Sequence, residues 1–392
     1  MTINFTFDAL PIILLCISTI SMLYIAIFGL RPMRSVTRHH RRIKEENKSE
    51  ATTDIKASVI VYTRNDEQHI AEYVESLMSQ KGVDFEVIIV DDASADHNTS
   101  VIEALCNKHP NLYMTFVPGD ARSLSRRKLS LTLGMKAAKN EVVITTSAIC
   151  KITSDRWLYN MVRHFENPNI EIALGYSHCD KHDLRGIGRW YRSFDSLCSA
   201  TQWLGYALNH SPYRGDGLNL AFRRKNFFEQ NGYAQTIYLQ YGDDDLFINQ
   251  FANSHNTAIE ISTESQLLIN WGKSEPRLWL DRKEHYTFTG RFLKTKAFVN
   301  RHTMHAAYWL MTAGSIITML HTLPDLSATL LTSLLFITLW GYMICLYRRA
   351  AIALNDIKLW WSIPLFHLIQ PLADLIYRLT FRSRKMSNYT WR

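Results

Sequence analysis

The sequence predicts an α/β fold: a Rossmann-like domain on a parallel sheet, with transmembrane helices flanking it. Three features predict it. Residues 57–96 read as strand, helix, strand. Residues 58–63 are an apolar, β-branched run, residues 66–79 place Ile70, Tyr73, Val74 and Leu77 at helical spacing, and residues 85–90 are a second apolar run. Strands without a polar break are buried on both faces of a parallel sheet, and such sheets bind ligands beyond the carboxyl ends of their strands. Secondly, residues 9–30 form 22 positions without a charge, which at roughly 1.5 Å per residue cross a hydrocarbon layer of about 30 Å. Thirdly, residues 306–323 and 326–347 are two more apolar runs of spanning length, separated by Pro324 and Asp325.

These features set the expected boundaries. Residues 1–30 are an N-terminal transmembrane helix, 31–56 a basic juxtamembrane linker without periodicity, and 57–300 the α/β domain. Residues 306–347 are a transmembrane hairpin, and 348–392 a re-entrant or interfacial helix with a basic tail. The first span has arginines after it and no small-residue cleavage site, so it reads as an anchor rather than a signal peptide. The 392 residues carry a formal net charge of +8, and the excess is clustered. Arg31, Arg34, Arg38, Arg41, Arg42, Lys44 and Lys48 follow the first span, and Arg378, Arg382, Arg384, Lys385 and Arg392 crowd the C-terminus. Both clusters adjoin apolar stretches, so the expected polyanion is the lipid surface. Nucleic acid is not expected, since no aromatic-basic motif is present. The positive-inside rule then puts the domain in the cytoplasm, and Arg348 and Arg349 return the hairpin to that side. Residues 359–379 contain His367, Asp374 and two prolines. A full crossing there would put the basic tail outside, so a re-entrant or interfacial helix is favoured over a third span. The six cysteines include no CxxC pair, which suits a reducing compartment. His178, Cys179 and His182 lack a second ligand pair at zinc spacing.

Within the domain the pattern continues. Residues 98–107 read as a helix and 112–117 as a strand. Residues 122–139 read as a helix with Leu129, Leu133, Ala137 and Ala138 on one face, 141–146 as a strand, and 188–204 as an amphipathic helix. A helix starts at the acidic triplet Asp243, Asp244 and Asp245.

A strand ending in YTRNDE, a helix, then VIIVDDASAD resembles the opening of the family 2 inverting glycosyltransferases of the bacterial membrane-anchored type. The resemblance covers residues 57 to about 290. It implies a GT-A fold, a nucleotide-sugar donor, a divalent cation (Mg²⁺ or Mn²⁺), and sugar transfer with inversion at a bacterial-type inner membrane. It further implies that Thr63, Arg64, Asn65 and Glu67 hold the base and that Asp91 and Asp92 frame the nucleoside, with Asp92 bonding to it. Lys128 would face the diphosphate, with Arg126 and Arg127 behind it. In the stretch YRGDGLNLAFRR, Gly217 would let the backbone approach the donor sugar and Asn219 would fix the loop. Asp244 would be the general base, with Asp243 and Asp245 as orienting groups; three adjacent acids also repel one another, which raises one pKa towards the useful range. His285 and Tyr286 stand where chain-extending members grip the acceptor with Gln-x-x-Arg-Trp, and the missing motif argues for non-processive transfer.

One departure matters most. Members of the family end the fourth strand with Asp-x-Asp, which coordinates the cation beside the diphosphate. Here Ser147 and Ile149 stand at those positions. A hydroxyl is a weak neutral ligand for a hard cation and isoleucine is none, so the metal ligands are left open. The function expected is transfer to a lipid-linked or polysaccharide acceptor. The alternative is a pseudoenzyme that keeps the fold and serves an active transferase at the membrane.

Overall fold

The computed structural model describes residues 9–46, 51–119, 124–179, 186–269, 275–293, 296–323 and 326–382. The basic tail beyond Arg382, Lys48, His182, and the Pro324–Asp325 break lie outside them. The chain starts as one helical run: α1 (Ala9–Tyr24), a wide turn over Ile25–Gly29, then α2 (Arg31–Glu46). Residues 31–56, expected as a linker, are thus helical over most of their length. Met33, Val36 and Ile43 of α2 are buried, but they are scattered among eight charged residues and two histidines, and so sparse a stripe is not legible as periodicity.

The α/β domain opens with β1 (Ala57–Thr63), α3 (Ile70–Met78), β2 (Phe85–Asp91), α4 (Asn98–Lys108), β3 (Leu112–Phe116), α5 (Arg126–Ala137) and β4 (Val142–Ser147). β5 (Cys150–Ile152), α6 (Trp157–Val162), β6 (Ile172–Leu174), β7 (Ser177–Cys179), α7 (Ile187–Leu208), β8 (Leu220–Arg223) and α8 (Arg224–Glu229) follow. The domain ends with α9 (Asp245–Phe251), β9 (Thr257–Ile259), β10 (Leu267–Ile269) and α10 (Glu275–Thr289). Seven strands form one sheet in the order β3-β2-β1-β4-β8-β6-β9, parallel except for β8, which runs against β4 and β6. A second sheet has the order β5-β10-β7. Val59, Val61, Val87, Ile89 and Ile144 pack on one face of the large sheet, and Ile60, Ile88, Val90 and Val143 on the other, which is why these strands read as continuous apolar runs. Their carboxyl ends meet at Thr63, Asp91 and Ser147, and the site forms there.

Three helices follow: α11 (Lys296–His321), α12 (Leu326–Ala353) and α13 (Ser362–Arg382). Two described helices are long and apolar enough to cross a membrane, the run containing α1 and α2 (Ile12–Glu45) and α12 (Thr329–Ala353). α11, expected as a span, is not one of them. Arg301, His302 and His305 occupy its first half, and Thr312, Ser315 and Thr318 interrupt the rest. α11 packs along α1, and the stretch expected at 359–379 falls on the single helix α13 (Ser362–Arg382), with Pro371 inside it. The helical part is held firmly to the α/β domain. α2 runs against α7 so closely that a Cβ on Gly205 would lie 2.4 Å from Pro32 Cα, and His39 Nε2 meets the Ile259 carbonyl at 2.9 Å.

Candidate active site

The loops after β1 and β2 are stitched to each other. Asn65 has φ 55° and Ala93 φ 49°, left-handed turns that fold each loop back on its strand end. Asn65 Oδ1 accepts from the Ala95 N–H at 2.7 Å and Glu67 Oε2 from the His97 N–H at 2.8 Å. Asp91 accepts from Asn98 Nδ2 at 3.0 Å and from the Ser94 hydroxyl, and Asn98 Nδ2 also donates to Thr63 Oγ1 at 3.2 Å. Asn65, Glu67, Asp91 and Thr63 therefore shape the floor of a cleft. Asp92 is fully buried; it accepts from the Tyr62 hydroxyl at 2.9 Å and Arg126 Nε at 2.6 Å, and Arg64 Nη1 lies 3.6 Å away at the rim.

Lys128 is not where the resemblance implied. Its side chain is buried and its ammonium donates to the carbonyls of Thr236, Tyr241 and Leu239 at 2.6, 2.8 and 3.3 Å, so it braces the segment before α9. Burial pushes it down to about 8, against the pull of the three aspartates. The helical period explains the switch: Ser125 caps α5, and the residues that face the cleft are Arg126 and Arg127. Arg127 donates from Nε to Asp243 at 2.6 Å and from Nη2 to the Gly217 carbonyl at 3.2 Å, with its guanidinium 5.3 Å from the Tyr62 ring centre.

The acidic triplet is laid out by the start of α9. Asp244 caps the helix, accepting at Oδ1 from the Asp245 N–H at 2.6 Å, and its Oδ2 accepts from the Gly217 N–H at 3.3 Å. A Cβ on Gly217 would stand 3.1 Å from both Asp243 Oδ2 and Asp244 Cβ, so only glycine fits without displacing the acids. Asp245 is fully buried, takes the Thr289 hydroxyl, and has Arg214 Nε at 3.5 Å. His285 Nε2 lies 3.4 Å from Asp244 and 3.5 Å from Asp245. Burial alone would lower His285, but the two carboxylates outweigh it and push it up to about 10. The same pairing holds Asp245 below the usual carboxylate range despite its burial. The expected mutual repulsion of the triplet is thus relieved by Arg127, Arg214 and His285. The most accessible of the three carboxylates is that of Asp244, at 13 % against 8 % for Asp243 and none for Asp245. His285, expected at an acceptor, instead sits on these acids with its ring stacked on Tyr241 at 4.8 Å.

The strand-end position does not fit a cation. Ser147 is buried with its hydroxyl donating to the Tyr62 carbonyl at 2.9 Å, and Ile149 offers no donor atom. Among the described residues, one group brings together ligand atoms suited to a metal: Asp244, Asp245 and His285, within 4.8 Å of one another. A cation there would have to displace the proton that the two carboxylates hold on His285. Asn219 fills the structural part foreseen for it, donating to the carbonyls of Tyr176 and Ser265 at 3.0 and 2.9 Å and accepting from Trp157 Nε1 at 3.1 Å.

Beside the acids opens a cavity of about 570 Å³ between α7, α10, α11 and α13, and Tyr286 lines it. Several of its polar residues were not foreseen. Arg214 stands in the glycine stretch with its guanidinium 3.6 Å above the Tyr286 ring centre. Asp195 is a lone acid on the inner side of α7 and takes Lys283 Nζ at 2.6 Å and Trp279 Nε1 at 3.0 Å. A single buried-side charge in an amphipathic helix was the available signal.

Residues 58–215 match the family model described as Glycosyl transferase family 2. No curated protein gives a match. Among solved structures, the chain is similar to the mannosyltransferase PcManGT from Pyrobaculum calidifontis, determined in complex with GDP-Man and Mn²⁺. The identity is 17%, the match covers 92% of this chain and 99% of that one, and the TM-score is 0.52. It is also similar to S. aureus TarS 1-349 (17% identity, 84% of this chain and 91% of that one, TM-score 0.41). A third likeness is to glucosyl-3-phosphoglycerate synthase from Mycobacterium tuberculosis in complex with Mn²⁺, UDP and glucosyl-3-phosphoglycerate (13%, 61% and 80%, 0.39). The resemblance seen in the sequence is borne out by the match of residues 58–215 to that family model, and the fold is the GT-A fold.

Proposed function

We propose that this chain is a membrane-bound, inverting and non-processive glycosyltransferase. It moves a sugar from a nucleotide-sugar to a lipid-linked or polysaccharide acceptor during envelope polysaccharide synthesis, with its domain on the cytoplasmic face of a multi-pass inner-membrane protein. The observation that carries the reading is Asp244, a helix-capping carboxylate with the greatest side-chain exposure of the acidic triplet, bonded to the N–H of Gly217 in the glycine loop. The uridine, guanosine or thymidine part of the donor lies over the β1 and β2 loops with Asp92 beneath it, and Arg64 and Arg127 at the rim meet the diphosphate. Asp244 takes the proton of the acceptor hydroxyl as its oxygen attacks the anomeric carbon from the face opposite the departing diphosphate. Asp245, Arg214 and His285 hold Asp244 in place. A divalent cation, if the donor brings one, would neutralise the diphosphate; Ser147 and Ile149 do not fit it, and no step here depends on it. Membrane attachment suits an acceptor that stays in the bilayer, and α12 and the N-terminal run support it.

The second reading, a pseudoenzyme bound to an active transferase, is favoured by one observation, the engagement of Ser147 with the Tyr62 carbonyl where a metal ligand is usual. The detergent-solubilised full chain separates the two. Calorimetry with UDP, GDP and dTDP, followed by transfer assays with the matching sugar donors and a membrane lipid extract, gives binding and a glycosylated product on the first reading. Binding without product supports the second, and absence of binding refutes the donor site itself.

A further inference from the structure

α10 makes polar contacts on two of its faces. Trp279 and Lys283, one turn apart, meet α7: Asp195 accepts from Trp279 Nε1 at 3.0 Å and from Lys283 Nζ at 2.6 Å. His285 and Thr289, again one turn apart, meet the start of α9. His285 Nε2 lies 3.4 Å from Asp244 and 3.5 Å from Asp245, and the Thr289 hydroxyl donates to Asp245. At about 100° per residue the two pairs stand about 120° apart around the helix, so one face of α10 is tied to a lone acid of α7 while another rests on the acidic triplet.

The attachment to α7 is closely defined. Asp195 is buried, and each of its oxygens has its own donor from α10. Lys283 Nζ reaches on to Asp374 of α13 at 3.0 Å, and Asp374 also takes Arg301 of α11. Trp279 packs edge-on against Tyr191 of α7 and Tyr377 of α13, with ring centres 6.3 and 5.2 Å away. A shift of α10 by one residue would turn Lys283 about 100° from Asp195 and leave a buried carboxylate without its cation, which is strongly unfavourable. The same rotation would carry His285 off Asp244 and Asp245. Of the two ionic attachments, that of Lys283 at 2.6 Å is the tighter and that of His285 at 3.4 and 3.5 Å the looser.

We propose that Asp195 is a positioning residue for the transfer reaction: from α7 it fixes the rotation of α10 and thereby seats His285 against Asp244 and Asp245, which keeps the base Asp244 in place. The consequence for catalysis rests on the transferase reading. The coupling between Asp195 and His285 belongs to the fold and is measurable without a substrate.

The test is a double-mutant cycle on the detergent-solubilised full chain. Melting temperatures are measured from pH 6 to pH 10 for wild type, Asp195→Asn, His285→Gln and the double variant. Asparagine keeps an acceptor for Trp279 Nε1 and removes the charge that holds Lys283. At pH 6, His285→Gln should lower the melting temperature of the Asp195→Asn chain by less than half as much as it lowers that of wild type. What remains should vanish by about pH 8 rather than pH 10, because an imidazole that has left the carboxylates titrates near its ordinary value. Should Asp195→Asn fail to fold, Asp195→Asn with Lys283→Met takes its place in the cycle, since methionine keeps the stem and removes the stranded ammonium. Additive effects at every pH overturn the proposal: an Asp195 that only stabilises the fold leaves the contribution of His285 unchanged. In single-turnover transfer, Asp195→Asn should be at least tenfold slower than wild type with nucleoside diphosphate affinity within twofold, and an unchanged rate overturns the proposal as well. Coupling found in a wild-type chain that transfers no sugar upholds the seating of His285 and strikes the transferase reading instead.

Discussion

Replacing Asp244 by asparagine separates catalysis from architecture at this site. Asparagine caps a helix about as well as aspartate, so the bond from the Asp245 N–H survives, and His285, which loses one of its two carboxylates, keeps the other in Asp245. The Gly217 N–H at 3.3 Å can still meet the amide oxygen, so the donor loop keeps its position. What is lost is the capacity to accept a proton. A positioned general base contributes about 10²- to 10⁴-fold, or roughly 2.7–5.5 kcal/mol of transition-state stabilisation. Asp243 cannot stand in, since Arg127 occupies it at 2.6 Å, and Asp245 has no exposed carboxylate surface. Single-turnover transfer by the solubilised chain should therefore fall at least a hundredfold, with nucleotide affinity within twofold of wild type. A folded Asp244→Asn that transfers sugar within threefold of wild type would refute the assignment of the base.

Asp245→Asn should act on stability instead. It leaves Arg214 and His285 buried beside a neutral amide, and breaking a buried pair costs about 3–5 kcal/mol, read as a lowered urea midpoint. His285 gives a pH signature. Its folded pKa, about 10, lies above the ordinary 6.5, so its stabilisation is complete below pH 6.5 and is lost as pH rises through 10. The difference in melting temperature between wild type and His285→Gln should accordingly be largest near pH 6 and shrink towards pH 10; a constant difference would show that the imidazole is not charged between the acids. Lys128→Met should lower the denaturation midpoint and leave nucleoside diphosphate affinity within twofold, and a tenfold loss of affinity would return Lys128 to the diphosphate. Arg127→Ala should weaken nucleoside diphosphate binding about tenfold, and that binding should differ by less than threefold between Mn²⁺ and EDTA. Strict dependence on Mn²⁺ would make Asp244, Asp245 and His285 the cation site.

Much of the α/β core was legible because buried parallel strands leave a strong signature. The runs at 58–63 and 85–90 contain no polar residue that would have to find a partner between two packed faces, apart from Ser58, Thr63 and Glu86, and Ser58 and Glu86 bond each other at 2.6 Å. The acidic triplet was legible for another reason: aspartates at a helix start satisfy free N–H groups wherever they occur. The helical part was only half legible. α2 spends three apolar residues on its contact with the domain among a crowd of arginines, and α11 crosses the same distance as a span while turning Arg301 and His305 towards Asp374. Hydropathy registers the average along a segment, and here the function of the helix lies in its exceptions.

The misplacement of Lys128 shows the same limit at the site. In the sequence Arg126, Arg127 and Lys128 are three adjacent cations, and each is a chemically reasonable partner for a diphosphate. Successive helical residues diverge by about 100°, so one of the three must turn into the protein while the others face the cleft. Which one turns inward depends on where the unpaired carbonyls of a distant loop fall, and residues 236–241 place three of them over Lys128. Lysine is suited to that inner position: a flexible stem and three donors can serve three divergent carbonyls. Arginine keeps its planar fork for Asp92 and Asp243, where paired oxygens are presented. The division of labour follows from the shapes of the two side chains. Arginines likewise hold two of the three acids, Arg127 on Asp243 and Arg214 beside Asp245, which leaves Asp244 with the most exposed carboxylate of the triplet.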